Sequence, residues 1–160
     1  MKNSSPSILV YGYGNPGRQD DVLGIDFTEE IEKWCKFKGL KNITFEQNYQ
    51  LNIEDAEKIS NFEIIIFADA TINDIGSFSF EEVRPNLKTE FTMHSVTPSF
   101  VLGLCQQIFN RYPKTFQLQI RGFGWEFMEQ STIGARINLN EAIEFLKIYF
   151  TEQYSMCELT

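Results

Sequence analysis

Ile8-Leu9-Val10-Tyr11-Gly12-Tyr13-Gly14-Asn15-Pro16-Gly17-Arg18-Gln19-Asp20-Asp21-Val22-Leu23-Gly24 passes from a short apolar run, through a glycine-rich turn, into two adjacent carboxylates and a helical pattern. Ile8 to Tyr11 reads as a buried strand. From Val22 to Lys38, Leu23, Phe27, Ile31 and Trp34 recur at spacings of four, four and three, the stripe of an amphipathic helix. Strand, turn and helix open a βαβ unit. The turn delivers Asp20 and Asp21 to the carboxyl end of a strand, where open α/β sheets place their sites.

The alternation continues downstream. Asn42 to Glu46 predicts a second strand, and Asn52 is placed to cap a short helix carrying Ile53, Ala56 and Ile59. Ile64 to Ala68 is a third strand that runs into Asp69, and Ser77 to Val83 a half-exposed edge strand stopped by Pro85. Thr97-Pro98 starts a helix with Val101, Leu104, Cys105 and Ile108 as its buried stripe, closed by Pro113. Phe116, Leu118 and Ile120 alternate as a fifth strand. Asn138 and Glu141 resemble a capping box for a last helix bearing Leu139, Ala142, Ile143, Leu146 and Tyr149, which leaves Gly122 to Ile137 as a long loop. This order predicts a three-layer α/β/α sandwich with a mainly parallel sheet.

Composition bounds the rest. At 160 residues and 42% hydrophobic content the chain forms a single domain, 1–160, with its core over 8–150 and short polar tails. A net charge of −8 without a Lys/Arg run argues against nucleic acid as a partner, since that affinity rests on neutralising phosphates. Cys35, Cys105 and Cys157 are odd in number and widely spaced, so neither a disulfide framework nor a thiolate zinc site is indicated. The polar stretch Met1 to Ser7 and the short apolar run after it resemble neither a signal peptide nor a membrane span. A cytoplasmic protein with no membrane partner is expected.

Gly12 to Gly17 satisfies GxGxxG, yet Asp20 and Asp21 would repel a pyrophosphate, the helix starts past the third glycine, and the expected ribose-binding acid is missing. Dinucleotide binding is therefore disfavoured. Asp20 and Asp21 as helix-capping acids compete with Asp21 as a ligand, because the helix dipole favours carboxylates at this end. Asp69 ends an apolar strand, where a carboxylate needs compensation from the following turn or from a ligand. His94, the only histidine, precedes a helix start whose positive end keeps the imidazole neutral and ligating. Asp21, Asp69 and His94 are thus a candidate metal site, an O/O/N set suited to nickel, zinc or another divalent ion. No GxSxG or HExxH is present, so conventional nucleophilic or zinc-protease signatures are lacking.

The strand with Gly12-x-Gly14-Asn15-x-x-x-x-Asp20-Asp21-x-x-Gly24, the strand end Ala68-Asp69-Ala70 and the segment Met93-His94-Ser95 resemble the NiFe-hydrogenase maturation endopeptidases. That resemblance implies a hydrolase that removes the C-terminal extension of a hydrogenase large-subunit precursor after nickel insertion. It places the family's metal-binding acid, Asp and His on Asp21, Asp69 and His94, with nickel carried in the substrate protein. It also implies a phosphorylase/hydrolase-like fold with a five-stranded, mostly parallel sheet and one antiparallel edge strand. A non-cleaving chaperone or binding module for the same large subunit is the alternative. Gly12 to Gly17 is also similar to the opening of bacterial peptidyl-tRNA hydrolases, but the histidine those enzymes need stands here as Asp20-Asp21, and the chain is acidic.

Overall fold

The computed structural model describes residues 5–88 and 96–153. Five strands, β1 (Ile8–Tyr13), β2 (Ile43–Asn48), β3 (Ile64–Thr71), β4 (Phe78–Glu82) and β5 (Lys114–Arg121), form one sheet in the order β2-β1-β3-β5-β4. β1, β2, β3 and β5 are mutually parallel through the β1–β2, β1–β3 and β3–β5 ladders, and β4 lies antiparallel to β5 at the edge. Helices α1 (Leu23–Lys38) and α4 (Ile133–Gln153) cover one face, and α2 (Asp55–Ile59) and α3 (Pro98–Phe109) the other. The expected three-layer sandwich with a single antiparallel edge strand is therefore the observed fold.

Alternation sorts the side chains between the layers. Ile8, Val10, Ile66, Ala68, Leu118 and Ile120 pack with Leu23, Phe27 and Leu146, while Leu9, Tyr11, Tyr13, Ile65 and Phe67 pack with Ile59, Val101 and Cys105. Asp69, two residues beyond Phe67, follows the same alternation toward the α2/α3 side.

Four local expectations need correction. α4 begins at Ile133, five residues before Asn138: the Thr132 hydroxyl accepts from Ala135 N at 3.3 Å, while Asn138 is a buried interior residue whose Nδ2 donates to Arg121 O at 3.0 Å. The loop predicted over 122–137 thus ends at 132. Asn52 does not cap α2 with its side chain; its N–H donates to Asp55 Oδ2 at 2.8 Å, and that buried carboxylate also receives the Tyr11 hydroxyl at 3.0 Å. Ile108 is 62% exposed and Leu102 takes its place in the α3 stripe. Asp69 lies within β3, opposite Gln119 of β5, because the strand continues to Thr71. The start of α3 is as expected, with Thr97 Oγ1 accepting from Phe100 N and Pro98 in the first turn.

Candidate functional site

Four parallel strands leave their carboxyl ends at one rim, and the loops after β1 and β5 meet there. After β1 the chain needs Gly14: at φ +150° it sits against the Asp21 carbonyl, which a Cβ would strike. Asn15 then folds the turn, its Oδ1 accepting from Gly17 N at 2.8 Å, while its own N–H donates to Asp21 Oδ2 at 3.0 Å. Gly12, by contrast, lies inside β1. There it admits α1, because a Cβ would run into Gly24 O and the Thr28 hydroxyl.

The two acids after the turn have separate jobs, and neither caps a helix with its side chain. Asp20 is fully buried. Its Oδ2 accepts from Phe123 N (2.8 Å), Gly124 N (2.9 Å) and Thr132 Oγ1 (2.7 Å), and its Oδ1 from Thr132 N (2.8 Å). Burial alone pushes this carboxyl up, but the hydrogen bonds from Phe123, Thr132 and Gly124 outweigh it and hold the group below its ordinary value. Asp20 is therefore an ionised clamp on a loop more than a hundred residues away. No sequence pattern marked that role.

Asp21 is half-buried and accepts the Asn15 N–H described above. Asp69, on β3, is near enough that the charge of Asp21 acts on it. Its carboxyl is pushed up to about 7, first by burial and further by Asp21, against the lowering effects of the Ala70 N–H, which donates to Oδ1 at 2.8 Å, and of Tyr13. The Ala70 bond is the local turn interaction that a purely structural role for Asp69 requires. It leaves one acid in the field of a second, however, and among the described residues no cationic side chain forms an ion pair with either.

Tyr13 interacts with both Asp69 and Gln117, and its ring is wedged edge-on against Tyr11 and Phe67 at centroid separations of 6.4 Å each. Burial, before the charge of Asp69, pushes the phenol well above its usual value, so it remains a neutral donor. Tyr13 and Gln117 were not singled out from sequence. The legible signal was Tyr11 and Tyr13 at alternate strand positions, which puts two hydroxyls on one face.

The structure thus brings Asp21 and Asp69 together, and assigns Asp20 elsewhere. His94 lies outside the described residues; the chain re-enters description at Val96, just before Thr97 caps α3. Among the described residues no group of three His, Cys, Asp or Glu side chains converges. The two carboxylates suit a divalent cation on their chemistry: hard oxygen donors within reach of each other's charge, one of them desolvated at a cost a positive charge would offset. Cys35 and Cys105 are buried free thiols, and Cys157 lies outside the described residues. Among the described residues no helix is long and apolar enough to cross a membrane.

No family model matches the sequence, and no curated protein matches it by sequence comparison. The fold does match solved structures over nearly its whole length. It is similar to the NiFe hydrogenase maturation protease HycI from Thermococcus kodakarensis, with 16% identity, 91% of this chain and 93% of that chain covered, and a TM-score of 0.69. It is also similar to the hydrogenase maturating endopeptidase HybD from E. coli, with 20% identity, 91% and 92% coverage and a TM-score of 0.65. An uncharacterized protein from Wolinella succinogenes shares 21% identity over 92% and 98% of the two chains, with a TM-score of 0.63. The fold is the one those maturation proteases have.

Proposed function

We propose that this protein is a cytoplasmic endopeptidase that removes the C-terminal extension of a NiFe-hydrogenase large-subunit precursor once nickel is inserted, with Asp21, Asp69 and His94 recognising the bound metal. The observation that carries the reading is the Asp21–Asp69 pair: two neighbouring carboxylates at one sheet rim, one pushed up to about 7, with no cation paired to either among the described residues. The shared fold with HycI and HybD supports it.

In this reading nickel arrives with the substrate. A divalent ion at such a site supplies Lewis acidity to a nearby carbonyl or water. The chain's own part is to present two oxygens and, through His94, one nitrogen in a fixed arrangement. The Asn15 N–H fixes one Asp21 oxygen, and the Ala70 N–H and Tyr13 fix Asp69. Cleavage then waits on a loaded precursor, because an empty one leaves the two acids repelling each other with no cation to offset them.

The test uses Asp69→Asn, which is nearly isosteric and keeps an oxygen for the Ala70 N–H but discards the charge. Wild type is expected to shorten the nickel-loaded precursor and to spare the nickel-free one, and folded Asp69→Asn to lose processing; mass spectrometry of the large subunit reads both. Full processing by Asp69→Asn would exclude the site. Binding without cleavage by wild type would point instead to the chaperone role.

A further inference from the structure

Beside the carboxylate pair, the 123–133 segment displays Phe127, Met128 and Ile133 to solvent at 72%, 91% and 81% exposure. Scattered exposed apolar residues are ordinary, but here they sit along one short stretch, the loop after β5 and the first residue of α4, at the same rim as Asp21 and Asp69. The loop is not free to fold them away. Besides the Asp20 clamp, Arg18 Nε donates to Trp125 O at 3.1 Å, Glu126 N to Gln19 Oε1 at 3.1 Å, and Met128 N to Gly17 O at 3.0 Å. Met128 is held at φ 63°, a left-handed conformation uncommon for a residue with a Cβ. The Arg18 guanidinium lies 5.9 Å above the Phe127 ring and further fixes it. A hollow of about 600 Å3, bordered by Pro16, Val22, Gln130 and Arg136, opens next to the loop.

A loop strained and bonded into exposing aromatic and methionine side chains has its ordering cost already met before any partner arrives. Such residues dominate the centres of protein interfaces. The charge pattern selects the partner: carboxylates with no ion-pair partner among the described residues, beside exposed apolar side chains, complement a protein surface that presents a cation within an apolar surround. We propose that the 123–133 loop is a preformed docking element for the folded, metal-bearing face of the precursor, seating it so that the bound cation meets Asp21 and Asp69. This rests on the function proposed above and names the surface that function uses.

The experiment measures processing of the nickel-loaded precursor over a range of precursor concentrations, for wild type, Phe127→Ser/Met128→Asn and Phe37→Ser. Asn tolerates the left-handed backbone at 128. Phe37 is 84% exposed near the end of α1, which carries the chain back to the opposite rim. The expected result is a half-saturating concentration raised about tenfold or more in the double variant, the effect of losing interface anchors, and unchanged in Phe37→Ser. If the double variant melts below wild type, Phe127→Ser alone is read in its place. Wild-type half-saturation in the double variant, or an equal rise in Phe37→Ser, overturns the docking element while leaving the peptidase intact. Failure of wild type itself to process the precursor overturns both.

Discussion

Asp20 and Asp21 are adjacent in sequence and opposite in role. Among the described residues the Asp20 carboxylate accepts from donors of the 123–132 segment, so its charge contributes to stability, whereas Asp21 stands beside another acid. Asp20→Asn turns an amide NH2 toward groups that are all donors, and a loss on the order of 3 kcal/mol is expected for disrupting charged, buried hydrogen bonds. The pH dependence has a definite sign. Because the folded-state pKa of Asp20 is lowered, its contribution is complete above the ordinary aspartate value and is lost as pH falls through the folded one. Chemical denaturation at a series of acid pH values should show wild-type stability falling over that interval more steeply than that of Asp20→Asn; parallel curves would mean the clamp is not ionised. By residue type alone either acid suits a helix start, and the resemblance picks out Asp21 without giving Asp20 a role. The partner loop, brought from far along the chain, supplies that role.

At the level of strands and helices, β1, α1 and β3 pack backbone against backbone. A Cβ on Gly12 would meet Gly24 O and the Thr28 hydroxyl, and one on Gly24 would meet Ala68 O and Tyr13 O. Glycine inside a helix or strand costs roughly 0.5–1 kcal/mol relative to alanine, so Gly24 in the first turn of α1 marks a position where backbone lies on backbone. Gly12→Ala is therefore expected to destabilise by about 3 kcal/mol, the upper end of overpacking costs, despite alanine's better propensity. Urea unfolding checks this, and a neutral or stabilising result would contradict the contact. Most elements are legible from their apolar runs and periods: β1, α1, α3 and β5 lie where these put them, although Ile108 drops out of the α3 stripe and β3 continues past its apolar run to Thr71. α4 was misplaced at its start because Ile133 and Ile137 are exposed and out of phase with its buried stripe, while Asn138 and Glu141 imitate a cap. What the period cannot encode is an interior asparagine recruited to tie α4 to the end of β5.

For the molecule as a whole, the strand order puts the end of β3 and the loops after β1 and β5 on one rim, and that much follows from reading parallel βαβ units in sequence. The mutual approach of Asp21 and Asp69 was legible in kind, as acids at two strand ends. The contribution of Tyr13 and Gln117 was not, because it depends on β1, β3 and β5 lying side by side. If the donor set is shared with His94, calorimetric titration with nickel or zinc should show saturable binding to wild type and at least about tenfold weaker binding to His94→Ala, since losing one of few ligands from such a site is costly. Equal affinity would remove His94 from the set.

The strand order also has a temporal side. β4 pairs only with β5, yet it precedes β5 in the chain by the whole of α3, so a growing polypeptide carries β4 without a partner until residues 114–121 have been made. Asp20 likewise waits for Phe123, Gly124 and Thr132, which follow β5. An incomplete chain thus cannot hold the 123–133 loop in its displayed form. The surface proposed to engage a client forms only after β5, later than the segments that carry Asp21 and Asp69, and a chain that stops short of residue 132 lacks it.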